Sequence, residues 1–201
     1  LMYAYSTHYD EVGQLSAAMA IPMLRSFLQS KEWTHIPGGV STYIDAVSAS
    51  LRGFVHLKAS IESVTRDANG VSLRHADGHD DRFDAVVLAV PPHRILPLLA
   101  DADPIEHLWF DACEGHTVHT VAHCDPGPYL RRDIRVPSEF DLFELENGGH
   151  GYNAYLNRLA DLPEHSGVQY GLAFDLDAEL DPARILHRQP HDVALYTEHA
   201  L

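Results

Sequence analysis

The stretch Phe54 to Pro92, FVHLKASIESVTRDANGVSLRHADGHDDRFDAVVLAVPP, does most to limit what this chain can fold into. Val55, Leu57 and Ala59 alternate with His56 and Lys58, and Ile61 and Val64 bracket Glu62 and Ser63. Asp67-Ala-Asn-Gly70 has turn chemistry, with a glycine where positive φ is needed. Val71, Leu73 and His75 alternate with Ser72, Arg74 and Ala76, the period of a half-buried strand, and Ala76-Asp-Gly78 turns the chain again. Ala85 to Val90 is apolar without a break, which predicts a strand covered on both faces, as at the centre of an α/β sheet. Pro91 and Pro92 end it, because neither can donate to a ladder. Ligands of open α/β sheets gather at the carboxyl ends of such strands, so Ala89, Val90 and Pro91 are candidate binding residues.

Around this stretch the patterns are helical first and extended later. A helix is expected over Val12 to Met19, capped by Ser6 or Asp10 and interrupted at Ile21-Pro22. Met23, Leu24, Phe27 and Leu28 then form a helical face that reads as core. Trp33 to Gly39 is a loop in which Gly38 and Gly39 permit close backbone approach. Ser41 or Thr42 would cap a helix over Val40 to Leu51, with Tyr43, Ile44, Val47 and Leu51 on one face. His93 to Ala100 reads as a short helix broken near Pro97. Asp103-Pro104 is a cap with proline at the first helical position, opening a helix to about Ala112. From His116 strands follow one another: 117–124, 140–146, 151–157 and 168–174, with Asn147-Gly148-Gly149 as a hairpin turn. Short turns between successive strands predict an antiparallel sheet.

Composition excludes several classes. With 29 Asp and Glu against 14 Lys and Arg, neither nucleic acid nor an anionic membrane surface is an expected partner. No apolar run approaches a membrane span, and the start lacks the basic region and cleavage site of a signal peptide. Two cysteines are too few for a disulfide scaffold, so free thiols in a cytoplasmic setting are expected. His116, His119 and His123 do not read as a metal site. Residues 119 and 123 of a strand lie about 13 Å apart along it, too far to share one ion.

The succession His35-Ile-Pro-Gly-Gly39, helix, strand, meander and Ala89-Val-Pro-Pro92 resembles the flavin-containing amine oxidases and their phytoene-desaturase-like relatives. The resemblance implies FAD as cofactor and a small-molecule substrate. It places Gly38 and Gly39 beside the flavin and substrate region. It gives Ile61 the task of gripping adenine through backbone N–H and C=O, and sets Ala89, Val90 and Pro91 near the linking phosphates and ribose. The family's opening G-x-G-x-x-G is not in this chain, nor is its C-terminal glycine-rich segment. No catalytic acid or base can be matched.

The expectation is an α+β chain in three parts. Residues 1–35 are a helical segment of a substrate lobe, 36–100 a partial FAD-binding lobe, and 101–201 an antiparallel-sheet substrate lobe. Functionally it would be the central portion of an FAD-dependent oxidoreductase, inactive alone. The alternative is a non-catalytic binding or self-association module reusing the fold. Edges and apolar faces left open would drive homo-oligomerisation.

Overall fold

The computed structural model describes residues 1–29, 34–51, 54–160, 162 and 167–197. In chain order the elements are α1 (Met2–Tyr5), α2 (Ala17–Gln29), α3 (Val40–Ser50), β1 (Ile61–Asp67), β2 (Gly70–His75), β3 (Asp80–Phe83), α4 (Ile95–Leu98), α5 (Pro104–Phe110), β4 (Glu114–His123), α6 (Gly127–Leu130), β5 (Phe140–Glu144), β6 (His150–Tyr155), α7 (Leu156–Leu159), β7 (Gly171–Phe174) and β8 (Ile185–Leu195). The mixture is α+β, as the alternation of helical and extended patterns predicts. The chain divides into two compact units. One comprises residues 1–30 and 116–193, the other 31–115 and 194–201.

The first unit is built on a five-stranded sheet in the order β5-β6-β7-β4-β8. β4, β5, β6 and β7 are joined by antiparallel pairs. The β5–β6 hairpin closes through Asn147-Gly148-Gly149. Gly148 takes φ 80°, and the Asn147 side chain accepts from the Gly149 amide at 2.9 Å. Both faces of the sheet are covered. Val118, Tyr152 and Phe174 pack with Met2, Val12 and Val193 on one side. Val121, Phe143 and Ala173 pack with Tyr129, Leu176 and Leu180 on the other. β4 is therefore buried on alternating sides at Val118 and Val121, and each such apolar side chain contributes about 1.5–3 kcal/mol.

The N-terminal segment reaches the first face by aromatic and polar ties. Tyr3 lies against Phe140 with ring centroids 4.4 Å apart, and Tyr9 stacks on His150 at 3.8 Å. His8 Nδ1 meets Asp175 Oδ2 at 2.6 Å, and His116 Nε2 meets the Ser6 carbonyl at 3.2 Å. His116 Nδ1 is also 2.9 Å from Glu11 Oε2, without the alignment of a hydrogen bond.

The second unit holds the meander β1-β2-β3, antiparallel throughout. The Asp67–Gly70 turn forms as its chemistry requires. Asn69 donates its amide to Asp67 Oδ1 at 2.7 Å, and Gly70 sits at φ 140°, where an added Cβ would run into the Phe83 carbonyl. The following segment returns to β1, where Ala100 donates its amide to the Val64 carbonyl at 2.9 Å. Asp103 and Glu106 form a full capping box at the start of α5. Arg66 reaches from β1 to both Asp101 and Glu106, and its hydrogen bond leads the causes that hold the Glu106 carboxyl down at about 2.

Four expectations are corrected. Pro22 lies inside α2 rather than ending a helix. The helix begins only at Ala17, preceded by a tighter 3₁₀ turn over Tyr9–Gln14. The Val40 helix forms, but Gly39 is its N-cap with no side-chain cap, and Thr42 turns back to the Pro37 carbonyl. The α2 face read as core is exposed at Leu24 and Leu28, and the α3 face of Tyr43, Ile44 and Val47, with Leu51 just after it, is exposed as well. Most importantly, neither 54–57 nor 85–90 is a strand. Val87 is 90% exposed rather than central. A fully buried strand takes its hydrogen bonds and its cover from flanking strands and helices, and no described residue pairs with 85–90.

Candidate functional site

All six residues singled out from the sequence as cofactor contacts lie in the second unit. Gly38 and Gly39 form the turn before α3, at φ 83° and 85°, values that side chains other than glycine seldom accept. A Cβ on Gly39 would meet nothing within 4 Å, while one on Gly38 would crowd Thr42 Oγ1 at 2.8 Å. The pair thus presents bare backbone on an open side. Trp33, which begins this loop, lies outside the described residues.

Ile61 opens β1 opposite His75, and a β-bulge follows between Ile61 and Ser63. Just before it, Lys58 and Ser60 both take positive φ, 59° and 49°. This strained approach is held from the β2 side. Ala76 donates its amide to the Ser60 carbonyl at 3.0 Å, and His75 Nδ1 lies 2.9 Å from the Ala59 carbonyl. Ala89, Val90 and Pro91 lie in largely exposed chain outside any strand, entering the 3₁₀ turn Pro92–Arg94.

These residues are glycine, alanine, proline and aliphatic, so they offer backbone and shape rather than charge. Backbone-led geometry at Ile61 and open glycine backbone at Gly38-Gly39 suit a ligand recognised by main chain and shape. They do not supply a phosphate anchor. One G-x-G-x-x-A spacing does occur, Gly149 to Ala154, but it runs from a hairpin turn along β6, not from strand to turn to helix, so it is not a dinucleotide fingerprint.

A second constellation, in the first unit, was invisible to sequence reasoning. His123 is buried on the face opposite the N-terminal segment. Its Nδ1 accepts from the Asp125 amide at 3.1 Å, so the ring is neutral with its proton on Nε2, which donates to Asn153 Oδ1 at 3.0 Å. Asn153 Nδ2 in turn donates to the Tyr129 hydroxyl at 2.9 Å. Burial pushes the His123 pKa down and the Tyr129 pKa well up. Such a chain of buried, mutually satisfied groups reads as architecture. His119 is exposed, and among the described residues no group of three or more His, Cys, Asp and Glu is disposed to hold a metal.

Residues 2–120 match the family model of the flavin containing amine oxidoreductases, and the chain belongs to that family. Among solved structures it is similar to a CLA-producing fatty acid isomerase from P. acnes, at 16% identity and TM-score 0.49 over 81% of this chain and 42% of that one. A redesigned putrescine oxidase matches at 16% identity and TM-score 0.45, over 73% of this chain and 32% of that one. The chain thus spans less than half the length of either. No curated protein matches it.

Proposed function

We propose that this chain is the central portion of an FAD-dependent oxidoreductase. It carries one side of the adenine pocket in its second unit and a substrate-side lobe in its first. The observation that carries this reading is the family match over 2–120, within which Pro37-Gly38-Gly39, Ile61 and Ala89 to Pro92 follow in the family's order. In a bound state Ile61 would meet adenine with its backbone, Gly38 and Gly39 would lie toward the flavin and substrate, and Ala89, Val90 and Pro91 toward ribose and phosphate. The flavin supplies hydride chemistry, and this chain's residues orient it. The substrate is a small molecule, amine and carotenoid-like lipid both being compatible with the scaffold.

Alone, the chain is inactive and holds FAD weakly, because it has no G-x-G-x-x-G to seat the pyrophosphate. Titration with FAD, followed by flavin fluorescence, is expected to show no saturation at low micromolar FAD. Fusing the chain to a strand–G-x-G-x-x-G–helix segment of the family is expected to give a yellow protein. Ile61→Pro should weaken binding in that protein by removing the N–H that faces adenine. A folded Ile61→Pro variant with unchanged FAD affinity refutes the assignment.

A self-association role is the second reading. Phe54, Leu57, Val87 and Leu108 are each 80% or more exposed, apolar surface available for cover by a second copy. A homodimer covers it most economically. A cytoplasmic location accords with Cys113 and Cys124 both being free thiols. Among the described residues no helix is long and apolar enough to cross a membrane.

A further inference from the structure

The approach to Ile61 is held by a histidine whose two ring nitrogens face acceptors only. His75 Nδ1 lies 2.9 Å from the Ala59 carbonyl oxygen, and Nε2 lies 3.0 Å from Asp81 Oδ2. A carbonyl and a carboxylate have no proton to give, so each nitrogen must bring its own. Both bonds exist together only in the imidazolium. We propose that the His75 imidazolium is the positioning residue for the Ile61 backbone, tying the Ala59–Ser60 approach to β3 through Asp81. The adenine side of the site then loosens when His75 loses its charge. The inference rests on the adenine assignment made above for its meaning, but not for its geometry.

Three observations converge on this. First, the held segment needs holding, since Lys58 and Ser60 both sit in the left-handed region just before Ile61. Second, His75 is the register partner of Ile61 and is mostly buried, its side chain 16% exposed, so it cannot swing freely into water. Third, the surroundings favour the cation. Asp81 faces it from β3, and Asp77 and Asp80 lie near on the turn and on β3. The other imidazole in reach is His79, 5.5 Å away ring to ring, whose Nε2 takes the second oxygen of Asp81 at 3.0 Å. The Ala59 carbonyl leads in raising the His75 pKa above its ordinary value; burial opposes it, and Asp81 and Asp77 add smaller raising effects. A raised value means that the pin is complete below about pH 6.5 and is lost as pH rises through the folded-state value.

The test uses the 201-residue chain itself, labelled with ¹⁵N and titrated from pH 6 to 9. Both His75 ring nitrogens should show imidazolium shifts at pH 6, with a midpoint above about 6.5. The Ser60, Ile61 and Ala76 amides should move with that same midpoint. In His75→Gln the movement should vanish, and protection of the Ala76 amide from exchange should fall about tenfold, as one lost hydrogen bond of about 1.4 kcal/mol would give. A neutral His75 at pH 6, a midpoint at or below 6.5, or motionless amides would overturn the proposal even if His75→Gln fails to fold. Adenosine, which does not titrate in this range, separates the two claims. If it shifts Ile61 more strongly at pH 6 than at pH 8.5, the pin serves the adenine pocket. If the pin titrates as described while adenosine never touches Ile61, even in the protein fused to the strand–G-x-G-x-x-G–helix segment, the positioning stands and the adenine assignment falls.

Discussion

Replacing Gly171 with alanine should be among the most damaging single-methyl additions in this molecule. Gly171 lies in β7 opposite His123 and Tyr155. A Cβ at that position would sit 2.5 Å from Asn153 Oδ1 and 2.7 Å from His123 Cε1. Comfortable contact begins at about 3.5 Å, so both side chains must retreat by about 1 Å. They are fully buried and hydrogen-bonded to each other, and the Asn153 amide also serves Tyr129. Retreat breaks the His123–Asn153 bond with no water to replace it. An unsatisfied buried polar group costs about 1–3 kcal/mol, and overpacking alone costs about 1–3. The two overlap, so the expected loss is about 3 kcal/mol, against a total stability of about 5–15. That corresponds to a fall in Tm of about 6–12 °C. Urea denaturation followed by far-UV circular dichroism would measure it. Gly13→Ala is the control, because its Cβ would meet nothing within 4 Å and should change stability by less than about 0.5 kcal/mol. A loss below about 1 kcal/mol for Gly171→Ala would refute the claim that this glycine exists to let the polar chain pass.

Three further outcomes follow from the same structure. His123 is held neutral with a lowered pKa, so its contribution is complete above about pH 6.5 and declines below it, as the unfolded chain takes up a proton the buried ring resists; His123→Gln should flatten the acid slope of urea midpoints relative to wild type, and an identical slope would show that His123 is not responsible. Asp103→Ala removes both amide bonds of the α5 cap and should cost about 1 kcal/mol, seen as faster amide exchange at Ile105 and Glu106; unchanged exchange would deny the cap its role. Light scattering after size exclusion should give a dimer or larger species at tens of micromolar, and a monomeric mass at that concentration ends the self-association reading.

What the sequence disclosed, and what it hid, divides along physical lines. Turns are local chemistry, and they were legible: Asp67–Gly70 and Asn147–Gly149 formed where their side chains required, as did the Asp103-Pro104 cap, though not the cap expected from Ser41 or Thr42. The antiparallel lobe was legible from its turns, except for β8, whose run through Arg188, Gln189 and Pro190 lacks apolar alternation and is mostly exposed. The failures concern elements whose form depends on neighbours. Ala85 to Val90 has the composition of a central strand, but a strand is a relation between segments, and this one has no described partner. The same reason exposes Tyr43 and Val47. The His123–Asn153–Tyr129 chain was illegible because its members come from three places 6 to 30 residues apart, and nothing in their local spacing announces the contact. His75 was read only as one member of an alternating strand. Its second acceptor, Asp81, becomes visible only once the register of β2 against β3 is known.

The first unit is discontinuous in sequence, with residues 1–30 covering a sheet made from 116–193 and roughly 85 residues passing between them. This has a consequence for the order of events during synthesis on the ribosome. The helices and aromatic rings of the N-terminal segment emerge first, but the strand they cover beside Phe174 is completed only when translation reaches β7. At about 5–20 residues per second, that interval is about 10–30 s. Closing so long a loop also costs about 4 kcal/mol of chain entropy before any contact offsets it. The second unit, nearly contiguous, suffers neither delay. Throughout that interval Met2, Tyr3 and Val12 wait for the sheet residues they pack against.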